Sequence, residues 1–216
     1  MTFSIVARDP QTGALGVATA TAGPAVGALV VHGRAQVGAI ATQAMTNPLY
    51  GEQGLALLQQ GADAAYTLKS LLAQDAEAAR RQVLIVDNHG NMAQWSGESC
   101  GEWAGSLAGH QCLVGGNLLT GEQTLHDMLE SYDRHAGLPF ADRLLAAMQA
   151  GAKAGGDKRG LNSAALKIWH DRHYASVDLR ADWSEAPLDA LAEILRQTQA
   201  ASYAEFFAAL PKGLVR

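Results

Sequence analysis

Four strand-like segments open the chain, and no helical pattern separates them. They cover residues 3–8, 14–21, 29–34 and 36–43. The first two are joined by residues 9–13, whose Asp-Pro-Gln-Thr-Gly sequence is typical of a tight turn and predicts a β-hairpin. Strands grouped in this way are inconsistent with alternating βαβ units. They predict antiparallel sheets arranged in layers, with helices outside.

The rest of the chain continues in groups of helices and groups of strands. Asn47-Pro48 begins a helix because Asn is a good cap and Pro suits the first turn, and Gly61 divides it from a second helix. Further strands are predicted at 82–86, 92–95, 111–118, 161–169 and 174–179, and further helices at 121–135, 139–154 and 187–199. We therefore predict one domain over residues 1–216, of the α+β class, folded as a four-layer αββα sandwich in which helices flank two antiparallel sheets.

Composition narrows the classes of function. The net charge is −5, with acids and bases interspersed, which argues against a nucleic-acid partner because such proteins carry a basic face. No apolar run approaches the ~20 residues of a membrane span, and no signal peptide precedes the first strand, so we expect a cytoplasmic protein without a membrane partner. Cys100 and Cys112 form no Cys-x-x-Cys pair, and neither a metal site nor a cofactor is predicted.

The second residue, Thr2, carries the main chemical hypothesis. A threonine hydroxyl is a weak nucleophile until a base removes its proton. A free α-amine, with a pKa of about 7.7–8.0, is such a base at cellular pH. If Met1 is removed, Thr2 brings both groups together at the start of the first strand. This predicts a catalytic N-terminal threonine.

Five blocks of the chain are distinctive: "MTFSIVARDPQTGALGVA", "VGAIATQAMTNPLYG", "RQVLIVDNHGNMAQWSGESCGEWAG", "GGNLLTG" and "AGGDKRGLNSAALKIW". Together they resemble a bacterial family of unknown function that is grouped with the N-terminal-nucleophile (Ntn) hydrolase superfamily. The resemblance covers nearly the whole chain, in order and spacing. It implies the αββα fold of Ntn hydrolases but supplies no reaction.

A looser resemblance to proteasome-type Ntn hydrolases implies roles for residues near the first strands. In those enzymes the nucleophile opens the first strand, and a cationic side chain points to it from a third strand, where this chain has His32 or Arg34. Their oxyanion donor, a backbone amide near the first helix, is similar in place to residues 43–44 or 46–47 of this chain.

The same resemblance implies roles for two later segments. A Gly/Ser turn near the nucleophile is similar to residues 115–117, Gly-Gly-Asn, and an Arg-Asp…Ser-Gly segment is similar to residues 157–163. The proteasome pattern has Lys and Ser where this chain has His, Arg and Asn. Peptidase activity is therefore not implied.

Each candidate site residue in the first half of the chain has two possible interpretations. His32 lies in an apolar strand, either as a proton relay or cationic partner of the amine, or as a core histidine. Arg34 could bind a substrate carboxylate or point to solvent. Asn47 could aid an oxyanion or simply cap a helix, and Gln43 needs a polar partner, which could be backbone or ligand.

The residues of the second half are grouped around two glycine-containing segments. Gly116 and Asn117 lie beside an apolar strand, where glycine often marks a close approach of the backbone to a ligand. Asp157 could orient the N-terminal amine or bind a substrate amine, or it could belong to a charged turn. Asn162 and Ser163 enter the next strand and could reach the same cleft.

These readings favour an amidohydrolase that cleaves a C–N bond of a small-molecule substrate with Thr2. One alternative is a cyclohydrolase-type enzyme on the same fold that uses Arg34, Asn117 and Asp157 without an N-terminal nucleophile. Another is a non-catalytic module that binds a small molecule or a partner. The abundant small residues and flanking helices also permit a homo-oligomer.

Overall fold

A computed structural model describes residues 2–213 of the protein. Its ten strands are β1 Thr2–Arg8, β2 Leu15–Thr21, β3 Val31–Arg34, β4 Gly38–Ala44, β5 Arg81–Asp87, β6 Met92–Ser96, β7 Ala104–Gly109, β8 Cys112–Asn117, β9 Ser163–Trp169 and β10 Val177–Ala181. Its six α-helices are α1 Leu49–Gln59, α2 Ala64–Ala73, α3 Gln123–Arg134, α4 Phe140–Lys153, α5 Pro187–Thr198 and α6 Ala201–Ala209.

The strands form two antiparallel sheets that pack face to face. The first sheet has the order β10-β9-β2-β1-β8-β7, and the second has the order β3-β4-β5-β6. Helices α3, α4 and α5 pack on the outer face of the first sheet, and α1 and α2 pack on the outer face of the second. The predicted α+β class and four-layer αββα sandwich are thus confirmed.

The alternation of side chains along β1 explains how the layers are filled. Phe3 and Ile5 point to the helices of the first sheet, where they join the core that α3 and α4 complete. Thr2 and Ser4 point the other way, toward the second sheet, because successive side chains of a strand face opposite sides. Strand β1 therefore contributes side chains both to the layer under the helices and to the layer between the two sheets.

Two elements were not predicted from the sequence, and several strands, among them β3, β4, β9 and β10, begin two or three residues later than predicted. Strand β7 consists of small residues, AGSLAG, with weak strand preference, and it forms because it pairs with β8 along its whole length. Helix α6 follows the helix that we expected to close the chain. Strand β3 begins at Val31 rather than 29 because residues 26–28 form a 3₁₀ turn.

None of the described helices is long and apolar enough to cross a lipid bilayer.

Candidate active site

The layer between the two sheets is apolar along most of its length and polar at one end. Its apolar part is formed by residues such as Val17, Leu84 and Leu113. At the end where β1 begins, seven buried residues replace this apolar core; we call them the polar cluster, and they are Thr2, Ser4, Thr19, Thr21, Gln43, Gln82 and Asn117. Burying this many polar groups is unfavourable unless each finds a partner, so their arrangement is informative.

Hydroxyl groups of β1 and β2 make the first part of the polar cluster. Thr2 lies opposite Thr21 in the strand register, and its Oγ1 donates to Oγ1 of Thr21 at 3.3 Å. Ser4 donates from Oγ to Oε1 of Gln43 at 2.5 Å, and its Oγ lies 2.8 Å from Oγ1 of Thr19. The Ser4 contact joins the first sheet to the second.

Side-chain amides make the second part. Gln82 Oε1 accepts from Nε2 of Gln43 at 2.8 Å and from Nδ2 of Asn117 at 3.0 Å. Gln82 Nε2 donates to the backbone oxygen of Gly116 at 2.8 Å. The Asn117 Nδ2 also lies 3.4 Å from the carbonyl oxygen of Thr2, which is long for a hydrogen bond. Gln82 is thus the centre of the amide network, and Asn117 connects it to Thr2.

Asp157 lies next to this cluster on a loop that pairs with Leu119. Its side chain is fully buried, forms an ion pair with the Arg159 guanidinium at 3.2 Å, and accepts from the backbone N–H of Ala22 at 3.1 Å and of Arg159 at 2.8 Å. Ala22 directly follows Thr21, the partner of Thr2 in an antiparallel pair. The carboxylate therefore lies on the side of that pair toward which the Thr2 nitrogen extends.

Asn162 and Ser163 hold the chain segment that follows Thr21. The Asn162 N–H donates to the carbonyl oxygen of Thr21, and its Nδ2 donates to the carbonyl oxygen of Ala22, both at 2.9 Å. Ser163 Oγ donates to the carbonyl oxygen of Gly23 at 2.6 Å. These two residues position the wall of the site beside Asp157.

His32 and Arg34 do not join the site, because the period of two in β3 places both on the outer face of the second sheet. The His32 ring packs on α1 so closely that a Cβ on Gly51 would lie 2.1 Å from it, and Nε2 lies 3.0 Å from the carbonyl oxygen of Leu29. Burial lowers the pKa of His32. Arg34 bonds to Gln59 of α1. The structure therefore does not bring a cation from β3 to Thr2.

The side-chain hydrogen bonds of Asn47 are made at the start of α1 and with Asp75, not with Thr2. Its Oδ1 accepts from the backbone N–H of Leu49 at 3.2 Å, and its Nδ2 donates to Asp75 at 3.3 Å. Asp75 in turn accepts from Arg81, and this ion pair holds the pKa of the Asp75 carboxyl well below its usual range. The helix-start reading of Asn47 therefore matches its contacts.

The Thr2 side chain is buried. Its exposed fraction is 7%. Four cavities lined by described residues have volumes of about 340, 430, 400 and 110 Å³, and Thr2 lines none of these four.

Within the described part of the chain, no group of three or more His, Cys, Asp or Glu residues could hold a metal ion. Cys100 and Cys112 are both free and buried. Burial raises the pKa of the Cys112 thiol to about 12, so it is not ionised at neutral pH.

The sequence reasoning missed Ser4, Thr19, Thr21 and Gln82. A signal for three of them was present, because polar residues recur at every second position in "TFSI" and in "TAT". In a strand, that spacing places the polar residues on one face. Gln82 had no such signal, since it is the only polar residue of "QVLIV".

The fold and the polar cluster define a four-layer αββα protein with a buried threonine at the start of a central strand. The chain belongs to DUF1028, a family of unknown function, which it matches over residues 2–191. It is also similar to a crystal structure of a DUF1028 protein from Silicibacter pomeroyi, with 33% identity and a TM-score of 0.91, covering 98% of this chain and 92% of that one.

A second solved structure is much less similar. Anbu (ancestral beta-subunit) from Yersinia bercovieri matches with 13% identity and a TM-score of 0.41, covering 98% of this chain and 99% of that one. This likeness is too low to support an argument about function. No curated protein sequence matches the chain.

Proposed function

We propose that the protein is an N-terminal-nucleophile hydrolase that cleaves a C–N bond of a small amide, with Thr2 as the nucleophile after Met1 is removed. One observation carries the proposal. The Thr2 hydroxyl is buried in the polar cluster, at the start of a central strand, while the rest of the same layer is apolar. A stable sandwich core does not require polar residues there, so their presence supports a chemical role.

The terminal amine is the base in this mechanism. The cationic candidates His32 and Arg34 face α1, and the two described side chains that hydrogen-bond to Thr2, those of Thr21 and Asn117, are neutral. The amine, by contrast, is attached to the same residue as the hydroxyl. The Asp157 carboxylate, on the nitrogen side of Thr2, stabilises the ammonium form that appears when the amine takes the proton.

Each step of the reaction conserves atoms and charge. The amine removes the hydroxyl proton as Oγ1 attacks the carbonyl carbon of the amide. The C–N bond then breaks, and the leaving amine takes the proton from the Thr2 ammonium, which leaves an ester on Oγ1. Water, deprotonated by the same amine, attacks the ester, releases the acid and restores the hydroxyl.

Asn117 is the proposed oxyanion donor. One Nδ2 hydrogen is used by Gln82, while the other makes only the 3.4 Å contact with the Thr2 carbonyl oxygen. That weakly bonded hydrogen could turn to a developing negative charge beside Thr2. An oxyanion donor typically lowers the activation barrier by about 3–4 kcal/mol.

The cyclohydrolase alternative loses one of its three residues, because Arg34 bonds to Gln59 on the far side of the second sheet. The binding-module alternative becomes an outcome of the test below.

The test measures covalent acylation by intact mass. The intact mass of the purified protein is measured first, to establish whether Met1 is absent. The protein is then treated with a β-lactone, an acylating mimic of the amide. We expect a single acyl adduct on the wild type and on Thr2→Ser, and none on Thr2→Ala. Thr12→Ala, which removes an exposed hydroxyl in the β1–β2 turn, is the matched control and should label like the wild type.

Retention of Met1, or equal labelling of Thr2→Ala, would refute the proposal. Absence of any adduct on a protein that has lost Met1 would favour the binding module instead.

A further inference from the structure

A cavity of about 400 Å³ lies on the helical side of the first sheet, between β10 and helices α4, α5 and α6. Its walls include the apolar side chains of Val177, Leu179, Leu195 and Phe207 and the guanidinium of Arg172. We call it the Arg172 cavity. Its size, and a lining that combines apolar side chains with several polar ones, are typical of small-molecule sites.

The Arg172 cavity is separate from the proposed active site. Along the first sheet, Val177 is level with Ile168, Gly16 and Ala7, so it lies five residues along the strands from Thr2. Five residues of strand correspond to about 17 Å. The cavity also opens on the helical face, whereas Thr2 faces the second sheet.

Arg172 is a buried cation with unused hydrogen-bonding capacity. It is 5% exposed, and its Nη1 donates to the Tyr174 hydroxyl at 3.0 Å and to the carbonyl oxygen of Phe207 at 3.2 Å. Its Nε makes a long contact of 3.4 Å with Asp171, whose carboxylate also pairs with Lys212. Its Nη2 makes no hydrogen bond to any residue within 2–213. Asp171 and the Phe207 and Tyr174 rings, whose centroids lie 4.4 and 5.5 Å from Cζ, already stabilise the charge. The donors of Nη2 remain available for an anion in the cavity.

Ser176 contributes a second polar group to the lining of the cavity. Oγ of Ser176 is buried and finds no hydrogen-bond partner among the described residues, and Ser176 lines the cavity. A hydroxyl beside an arginine is a common arrangement for binding oxygen anions.

The acids of the cavity limit the charge that a ligand can carry. Asp178 pairs with Lys167 at 3.1 Å, and Asp142 accepts from Gln199 at 3.2 Å. If the ligand carried a second negative group, away from the one bound to Arg172, both carboxylates would repel it. Apolar walls, in turn, favour an uncharged hydrocarbon body.

From these contacts, we propose that the Arg172 cavity binds a small monocarboxylate with an apolar body. The carboxylate pairs with Nη2 of Arg172 and with the Ser176 hydroxyl. The hydrocarbon lies against Leu195, Phe207 and Val177.

Calorimetric titration of the full chain with octanoate tests this site. We expect saturable binding of octanoate at one site, and at least tenfold weaker binding of 1-octanol, which has the same body without the charge. Arg172→Gln should weaken octanoate binding at least tenfold. Ala204→Phe, on the α6 wall, should abolish it by filling the cavity without changing the arginine.

Thermal unfolding of each variant establishes that it is folded, and Ala204→Phe decides the question if Arg172→Gln does not fold. Thr2→Ala should bind octanoate like the wild type, which separates this site from the active site. No saturable octanoate binding, equal binding of 1-octanol, or unchanged binding by folded Ala204→Phe would each overturn the proposal.

Discussion

The hydroxyl of Thr2 donates to the hydroxyl of Thr21 at 3.3 Å, across the register pair at the end of β1 and β2. This contact orients the proposed nucleophile without using a charged residue. Thr21 also carries the backbone carbonyl that Asn162 holds, so its position is determined by β9 as well as by β1. The orientation of Thr2 therefore depends on three neighbouring strands.

The first prediction concerns this contact. Thr21→Val keeps the shape of the side chain but removes the hydroxyl that accepts from Thr2. We expect Thr2 to be acylated about tenfold more slowly, which corresponds to an activation free energy higher by about 1.4 kcal/mol. Thr21→Ser should acylate at close to the wild-type rate. Equal rates for the valine and serine variants would show that Thr21 does not orient the nucleophile.

The second prediction concerns Asp157 and the pH dependence of acylation. A nearby carboxylate raises the pKa of an amine because it favours the ammonium form. Asp157→Asn removes that charge, so the acid limb of the rate profile should move to lower pH and the maximal rate should fall. Asp189→Asn, at an exposed position on α5, should leave the profile unchanged. An acid limb that stays in place in Asp157→Asn would contradict the assigned position of the carboxylate.

The third prediction concerns the centre of the amide network. Gln82→Leu would leave the amide hydrogens of Gln43 and Asn117 without their shared acceptor in a buried layer. We expect the free energy of unfolding, measured in urea, to fall by about 3 kcal/mol. Gln94→Leu, an exposed glutamine on the neighbouring strand β6, should change it by no more than about 0.5 kcal/mol. A loss for Gln82→Leu no larger than for Gln94→Leu would mean that the network is not stabilising.

The fourth prediction concerns His32 and stability at mildly acidic pH. Burial lowers the pKa of His32 below 6.5, although Glu52 acts in the opposite direction and Lys167 adds to the lowering. The unfolded chain therefore binds a proton more readily than the folded chain, and stability should fall as the pH drops from 7 to 5. Asp75 also lowers the stability of the folded chain as the pH falls, but only at pH values around and below the ordinary pKa of an aspartate.

The measurement is the free energy of unfolding at pH 5, 6 and 7. His32→Gln should show a smaller loss than the wild type over this range, whereas His110→Gln, at an exposed position, should follow the wild type. An identical pH slope in His32→Gln would place the titrating group elsewhere.

The sequence by itself determined the order of most strands and helices, the layered architecture and the threonine at the start of β1. These features depend on local preference and on apolar periodicity, which are properties of neighbouring residues in the chain. The alternation in β1 also determined that Thr2 and Ser4 share a face opposite to Phe3 and Ile5.

Only the tertiary structure decided what each face meets. Periodicity placed His32 and Arg34 on one face of β3, but it did not show that this face packs on α1 rather than on the other sheet. Strand β7 was not predicted from the sequence, because its small residues form a strand only by pairing with β8. Gln82 and Asn117 are 35 positions apart in the chain and meet at 3.0 Å because β5 and β8 belong to sheets stacked on each other. Contacts between layers depend on how whole sheets pack, and that information is spread over the chain rather than held in any one segment.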